Sequence, residues 1–467
     1  PPYLWKGGSI MKTKKRRLEY YSFYDHTGIE QHLTEMAKKG WLLESISNLY
    51  WTYRKIEPRD IHFCVTYYPR ASDFDPGPSE DQQTFHDLCA HTGWQLACTW
   101  HQMQVFYNEK ESPNPLDTDP IMEVDTLHRA CKKNFLPSYY LLLALGVLMG
   151  GYFLAEIYFA PVTLLSNSSQ MLSGFAYLCV LVISLTELCT YFSWYRKAKK
   201  AAQDDIFVDT PSTKLIQQTV VIVLLFAAAI WILNLFTLSN RMLAWIAVAM
   251  LICMFAIIFA VNWIKHGLRK LKASRGLNRV LTLTACLILP TVMMGGITYA
   301  TLSGIFSNEN QTVPFDDSVI PLSITDFYDV DKQQYIEQNR NNETFVLGQR
   351  VVHMFGDWNV EGFHELPDLQ YTITTVKIPF IYEWCKDQMY WDLDESDNKD
   401  IPVGHRLVLK EQDPSPWGAN EVYRLYQEEG WYMNWYLLCY EDRIIDIRFD
   451  WEPTTDDMAI VNQKLNP

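Results

Sequence analysis

One sign of charge is missing from whole stretches of this 467-residue chain, and the signatures of catalysis are missing from all of it. No Asp or Glu lies between Lys265 and Arg279, and no charge of either sign lies from Pro161 to Gln170. No P-loop, GxGxxG, GxSxG, HExxH or paired CxxC occurs, so phosphate-cradling, nucleophile-elbow and zinc-site readings fall away. Only a constellation assembled from distant residues would then support catalysis. Hydrophobic residues make up 48% of the chain and aromatic residues 14%, which excludes a disordered or collagen-like polymer. Basic residues are scarce from Ser307 onward, 12 against 31 acidic, a balance of −19; the preceding residues carry 28 and 23, or +5. The net charge of −14 therefore averages two unlike halves.

What the chain does have is long apolar runs. Crossing a hydrocarbon core ~30 Å thick takes ~20 apolar residues in a helix. Five stretches qualify: Leu136–Ala160, Met171–Trp194, Leu215–Leu238, Met242–Ile264 and Val280–Phe306. None is N-terminal, so no cleavable signal is expected. Lys and Arg collect on the cytoplasmic side of spans. Arg129, Lys132 and Lys133 precede the first span, Arg196, Lys197, Lys199, Lys200 and Lys214 follow the second, and Lys265, Arg269, Lys270, Lys272, Arg275 and Arg279 follow the fourth. The other loops hold one basic residue between them, Arg241. These loops predict a cytoplasmic N-terminus and, after five spans, an outer C-terminus. Trp194 and Trp263 are expected as interfacial anchors.

Residues 1–10 lack periodicity, and the codons for Lys6-Gly7-Gly8 can form a ribosome-binding sequence; the expectation is a non-native leader with translation starting at Met11. From Leu18 to Lys110 the chain repeats itself. The first copy has a β-like run LEYYSFY, a helix opened by Thr27 and Glu30 in capping-box spacing with Ile29, Leu33 and Met36 inward, a stop at Gly40, then GWLLESI and YWTYRKI. The second has IHFCVTYY, a helix opened by Ser79 and Gln82 with Phe85, Leu88 and Cys89 inward, a stop at Gly93, then GWQLACT and QVFYNE. At an offset of 53 residues Gly40-Trp41 falls on Gly93-Trp94. Two βαββ units are predicted, packed as one antiparallel sheet with both helices on one face and DFDPGP (73–78) as a turn inserted in the second.

The run of a helix into AKKGW and YWTYRKI, repeated as AHTGW and QVFY ahead of a multi-span region, resembles the bacterial family catalogued as domain of unknown function 2812. The stretch WEPTTDDMAIVNQKL is similar to the tails of long members. Members occur in Gram-positive bacteria, often beside a PadR-type transcription regulator, so the resemblance implies an envelope protein tied to transcriptional control. It carries no catalytic residues.

Ser307–Thr312 reads as a linker to an α+β domain with strands at RVVHMF, QYTITTVKI, HRLVLK, WYLLCY and RIIDIRFDW, a turn at Glu441-Asp442 and a last helix capped by Thr455. Its acidic surface serves solubility or attracts cations and basic peptides. DLDESDNKD (392–400) opens like a calcium loop but has Asp397 and Val403 where the Gly and Glu belong, and so fails as an EF-hand. Cys385 and Cys439, the only cysteines assigned outside, are a candidate disulfide, the alternative being two core thiols. Glu156 and Glu187 are the only ionisable residues well inside spans. Glu187 lies nine residues from Arg196, about 13 Å by helical rise, and is expected near mid-bilayer, protonated, paired or functional, with Asn234 as a candidate partner. Gly146-x-x-x-Gly150 and Gly296-x-x-x-Ala300 allow close helix contact, and Pro290 with Gly295 and Gly296 a bend.

The sequence thus predicts a multi-pass α-helical membrane protein of five spans: leader 1–10, a cytoplasmic α+β domain of two βαββ repeats (11–135), a transmembrane bundle (136–306) and an acidic extracytoplasmic α+β domain (307–467). The expected role is non-enzymatic sensing or signal coupling in a bacterial plasma membrane. The alternatives are a transporter or channel accessory subunit and, behind it, a membrane-bound enzyme. No cofactor or metal and no direct nucleic-acid binding is expected. The partners foreseen are the lipid bilayer, a cytosolic regulatory protein and a second copy of the chain.

Overall fold

The computed structural model describes residues 13–47, 50–237, 241–302, 320–357, 359, 362, 366–398, 400–402, 404–428 and 430–466. The leader, Val403, the Ser307–Thr312 linker and the side chains of Asn234 and Ala300 lie outside them. The chain divides into two compact units, Pro1–Leu148 with Ala176–Phe306, and Met149–Phe175 with Ser307–Pro467.

The first unit opens with two βαββ motifs. β1 (Lys14–Arg17), α1 (His26–Lys38), β2 (Trp41–Ile46) and β3 (Trp51–Lys55) are followed by β4 (His62–Tyr67), α2 (Glu80–His91), β5 (Gln95–Trp100) and β6 (Met103–Asn108). Each motif makes its own antiparallel sheet, in the order β1-β3-β2 and β4-β6-β5, where one common sheet was expected. The reason lies in the edge strands: β2 is bulged between Leu43 and Ser45 and β5 between Leu96 and Cys98, the same offset of one repeat. A bulge twists an edge and interrupts its pairing. Both helices end on a glycine in the left-handed region, Gly40 at φ +80° and Gly93 at φ +94°.

Three local expectations are corrected. The first strand lies at Lys14–Arg17 and not at LEYYSFY, because Phe23 and Tyr24 are buried core plugs. Asp25, not Thr27, caps α1, accepting from the Gly28 N–H at 3.0 Å. Leu88 is 62% exposed, because α2 covers only a small cluster of Cys89, Trp94 and Phe106.

Then come α3 (Pro120–Lys133), α4 (Phe135–Phe159), the short α5 (Pro161–Leu165), α6 (Ser168–Ala201), α7 (Lys214–Thr237), α8 (Arg241–Lys270) and α9 (Arg275–Leu302). Of these, α4, α6, α7, α8 and α9 are long and apolar enough to cross a membrane. They expose Leu, Ile, Val and Phe along their lengths. Close approach at Gly146 is real: a Cβ there would stand 3.0 Å from Leu181 Cα on α6. Gly296 faces open space, so it mediates no helix contact among the described residues. Pro290 lies inside α9, which continues past it.

At 34 residues α6 is much longer than a span. Its last turns carry Leu188, Tyr191, Trp194 and Ala198, and the turn that follows carries Ala202, into the same core as Tyr24, Ile29, Leu33, Tyr53 and Leu127. Trp194 is thus 4% exposed, its indole donating to the Val208 carbonyl at 3.2 Å, and is no interfacial anchor.

The second unit holds a seven-stranded antiparallel sheet in the order β10-β11-β12-β13-β9-β8-β7. Its strands are β7 (Tyr335–Glu343), β8 (Leu347–Gly356), β9 (Leu369–Val376), β10 (Leu407–Gln412), β11 (Glu421–Gln427), β12 (Trp431–Cys439) and β13 (Arg443–Phe449). Alternation splits neighbours between two cores: Leu438 and Ile445 face Trp417 and α11 (Thr455–Leu465), while Leu437 and Ile444 face α10 (Tyr382–Leu393) and α5. The cap of α11 is Thr454 in a capping box with Asp457, one residue before the expected Thr455. The DLDESDNKD carboxylates serve the sheet edge, Asp394 accepting from the Leu409 N–H at 2.8 Å and Glu395 from the Leu407 N–H at 3.0 Å.

Candidate functional site

The loop before α1 presents Ser22, Tyr24 and Asp25 to the helices. Glu187 on α6 is fully buried against it. Its Oε1 accepts from the Thr213 hydroxyl and from Gln217 Nε2 at 2.6 Å. Because Thr213 spends its proton on Glu187, Ser22 Oγ donates to Thr213 Oγ1 at 2.8 Å, and Gln217 Nε2 donates to Ser22 Oγ at 3.2 Å. A turn further out, the Thr210 hydroxyl donates to Asp25 Oδ1 at 3.1 Å. The Thr27 and Thr210 backbone N–H groups each donate to the other's hydroxyl at 3.2 Å. Lys214 Nζ reaches the Tyr21 hydroxyl at 2.8 Å and stands 3.7 Å from Glu19. Burial opposes ionisation of Glu19, but His32 at 3.1 Å, Arg17 and Lys214 outweigh it and hold the carboxyl below its usual range. Burial dominates at Asp25 and raises its carboxyl despite the donors around it.

The inserted turn of the second repeat makes a separate attachment. Asp73 pairs with Lys265 at 2.9 Å and His101 at 3.2 Å, Asp75 with Arg275 at 3.6 Å, and the Asn278 amide donates to the Phe74 carbonyl at 3.3 Å. The repeat domain is therefore tied to the α6–α7 connection and to the facing ends of α8 and α9.

Between these attachments lie two adjoining cavities of about 260 and 270 Å³, both bordered by His26, Asp117 and Glu123. His26 and Glu123 pair at 2.9 Å. Glu30 Oε1 accepts the Val65 N–H at 2.7 Å, and Cys64 Sγ donates to Asp117 at 3.9 Å. The Glu30 bond satisfies an N–H on the open side of β4, which is an edge strand. Burial pushes Glu30 up to about 7 and Asp117 up to about 6. At His26, burial is outweighed by Glu123 and Glu30, and the ring holds its proton above the usual range. Burial raises the Cys64 thiol well above normal, so it is no activated nucleophile. Among the described residues no three His, Cys, Asp or Glu side chains stand placed to hold a metal ion. Burial thus favours the protonated forms of Glu30 and Asp117 above the ordinary carboxylate range.

Glu187, expected near mid-bilayer from its distance to Arg196, lies where α6 meets the repeat domain. Its partners come from Thr213 and Gln217; the side chain of the expected partner, Asn234, is not among those described. Glu156 belongs to the other unit and accepts from the Tyr152 hydroxyl one turn away on α4. Cys385 and Cys439 are buried in one apolar cluster as free thiols, with no bridge between them. Sequence reasoning missed the cavity residues; the one available signal was His26 and Glu30, spaced i, i+4 on a helix face that also carries Leu33.

No curated protein and no solved structure matches the chain. Residues 13–139, which span both βαββ motifs, α3 and the first turn of α4, match the model of the family described as "Protein of unknown function (DUF2812)".

Proposed function

We propose that this protein is a non-enzymatic integral membrane protein of a bacterial envelope that couples its outer domain to its inner repeat domain for signalling. The observation that carries the reading is the buried chain from Ser22 through Thr213 and Gln217 to Glu187, reinforced by Asp73 on Lys265. A mere membrane anchor needs no fully buried carboxylate shared between a soluble domain and its helices. The orientation has support as well: the two basic loops, 195–214 and 265–279, both attach to the repeat domain, as the excess of Lys and Arg on the cytoplasmic side requires. The partner of such a device is a cytosolic regulatory protein, and a second copy of the chain is compatible with it.

Glu187→Ala in the full chain tests the reading. It should reproduce the change in the cell's transcript profile caused by removing residues 307–467, with the protein still in the membrane fraction. A transport role instead requires Glu187→Gln to abolish a solute flux while transcripts stay unchanged. Wild-type transcripts from a folded, inserted Glu187→Ala protein would end the coupling proposal. Reporters active only in the cytoplasm should work when fused after Lys200 or Lys272 and be silent at the C-terminus.

A further inference from the structure

At the inner ends of α4 and α6 a cavity of about 470 Å³ opens between α3, α4 and α6. Lys132 and Arg196 line one side, Leu136 and Phe192 the floor, and Tyr140 and Tyr195 the rim. Neither Lys132 nor Arg196 has an acidic partner among the described residues, and both are exposed. His128, stacked on Tyr195 with centroids 4.0 Å apart, donates or accepts through Nδ1 with the Tyr191 hydroxyl at 2.6 Å. Burial, then the charges of Lys132 and Lys199, hold its ring below the usual range against the opposing pull of Asp125. Beyond the basic end, α4 and α6 expose an apolar track of Leu141, Leu145, Leu148, Val182 and Leu185.

We propose that this groove seats an anionic phospholipid of the inner leaflet, with Lys132 and Arg196 on its phosphate and its acyl chains along α4 and α6. The inference rests on the membrane reading above. A basic pocket beside apolar helix surface at the inner end of a span has the chemistry of a headgroup site. A soluble anion would use the two charges but have no use for the apolar track, and a zwitterionic lipid would bring a cation against Lys132 and Arg196. Occupancy would add a wedge between α3 and α6, the elements that carry the repeat domain's core, and so make its packing depend on lipid composition.

Native mass spectrometry of the full chain in detergent tests the site, with dioleoyl phosphatidylglycerol, dioleoyl phosphatidylcholine and inorganic phosphate as probes. Phosphatidylglycerol should bind in preference to phosphatidylcholine. The K132Q/R196Q protein should bind it roughly thirtyfold more weakly, at about fivefold per charge. K199Q/K200Q, which removes nearby charges that do not line the groove, should bind as the wild type does, and both variants should keep the wild-type melting temperature. Equal losses in the two variants, no preference between the lipids, or displacement of the lipid by inorganic phosphate would each overturn the proposal. Retention of the chain in alkali-washed membranes separates the outcomes: loss from that fraction refutes the membrane reading, whereas retention without lipid preference refutes only this site.

Discussion

Replacing Glu30 by Gln removes one proton-binding group from the repeat domain while keeping an acceptor for the Val65 N–H. In the folded protein Glu30 holds its proton up to about pH 7, against an ordinary value of 4.5. Between those values the folded state binds more protons than the unfolded one, so stability falls as pH rises through that window and stays low above it. A shift of this size corresponds to about 3 kcal/mol, a substantial share of the roughly 5–15 kcal/mol that holds a domain together. Asp117, pushed up to about 6 from 3.8, and His26, also held above its ordinary range, act with the same sign, so Gln at 30 should flatten the profile without abolishing its slope. The assay is hydrogen exchange of the β4 and β6 amides in the full chain, expressed as protection factors from about pH 5 to about pH 8. Wild type should lose protection as pH rises, and E30Q should lose less of it and be the more protected at the alkaline end. An E30Q profile that parallels the wild type would show that Glu30 is ionised throughout, and would refute the burial argument.

Gly40→Val should destabilise the repeat domain more than Gly93→Val, both by over ~1 kcal/mol. At Gly40 the new Cβ meets the Ile56 carbonyl oxygen at 3.0 Å, whereas at Gly93 its neighbours are movable side-chain ends of Asn108 and Lys110; equal thermal shifts would contradict this. Thr454→Ala breaks the capping box of α11 and should cost the C-terminal domain about 1 kcal/mol in denaturant unfolding. Burial pushes Cys385 up to about 11 and Cys439 up to about 12. Both should therefore resist alkylation in the native protein near pH 8 and react fully once unfolded without reductant; failure to react when unfolded would reveal a bridge.

What was legible in the sequence is what depends on near neighbours. Gly40-Trp41 and Gly93-Trp94 mark helix ends because a left-handed cap is a local event, and the long apolar runs declare themselves by length. Residues whose role comes from a distant partner misled. The aromatic run at 18–24 has strand composition, yet Tyr24 is spent on Phe135 and Tyr191, over a hundred residues away. Glu30 has capping-box spacing but satisfies Val65, and Thr27 turns instead to Thr210. Strand β7, YIEQNRNNE, escaped notice because an edge strand with one solvated face carries little apolar alternation.

The reach of α6 into the repeat domain has a consequence for the order of synthesis. The two βαββ motifs are complete by residue 108, but the side chains that close their core, from Leu188 to Ala202, come some ninety residues later. At a translation rate of about 5–20 residues per second the domain waits roughly 5–20 seconds, open on the side where Tyr24 and Leu127 stand bare. During that interval α4 and most of α6 must already have found their places, because only an α6 running back toward the first helix's starting side delivers Tyr191 and Trp194 to the gap. Completion of the repeat domain thus depends on how the later helices are laid down: a chain whose second long helix does not return to the gap is left with an unfinished core.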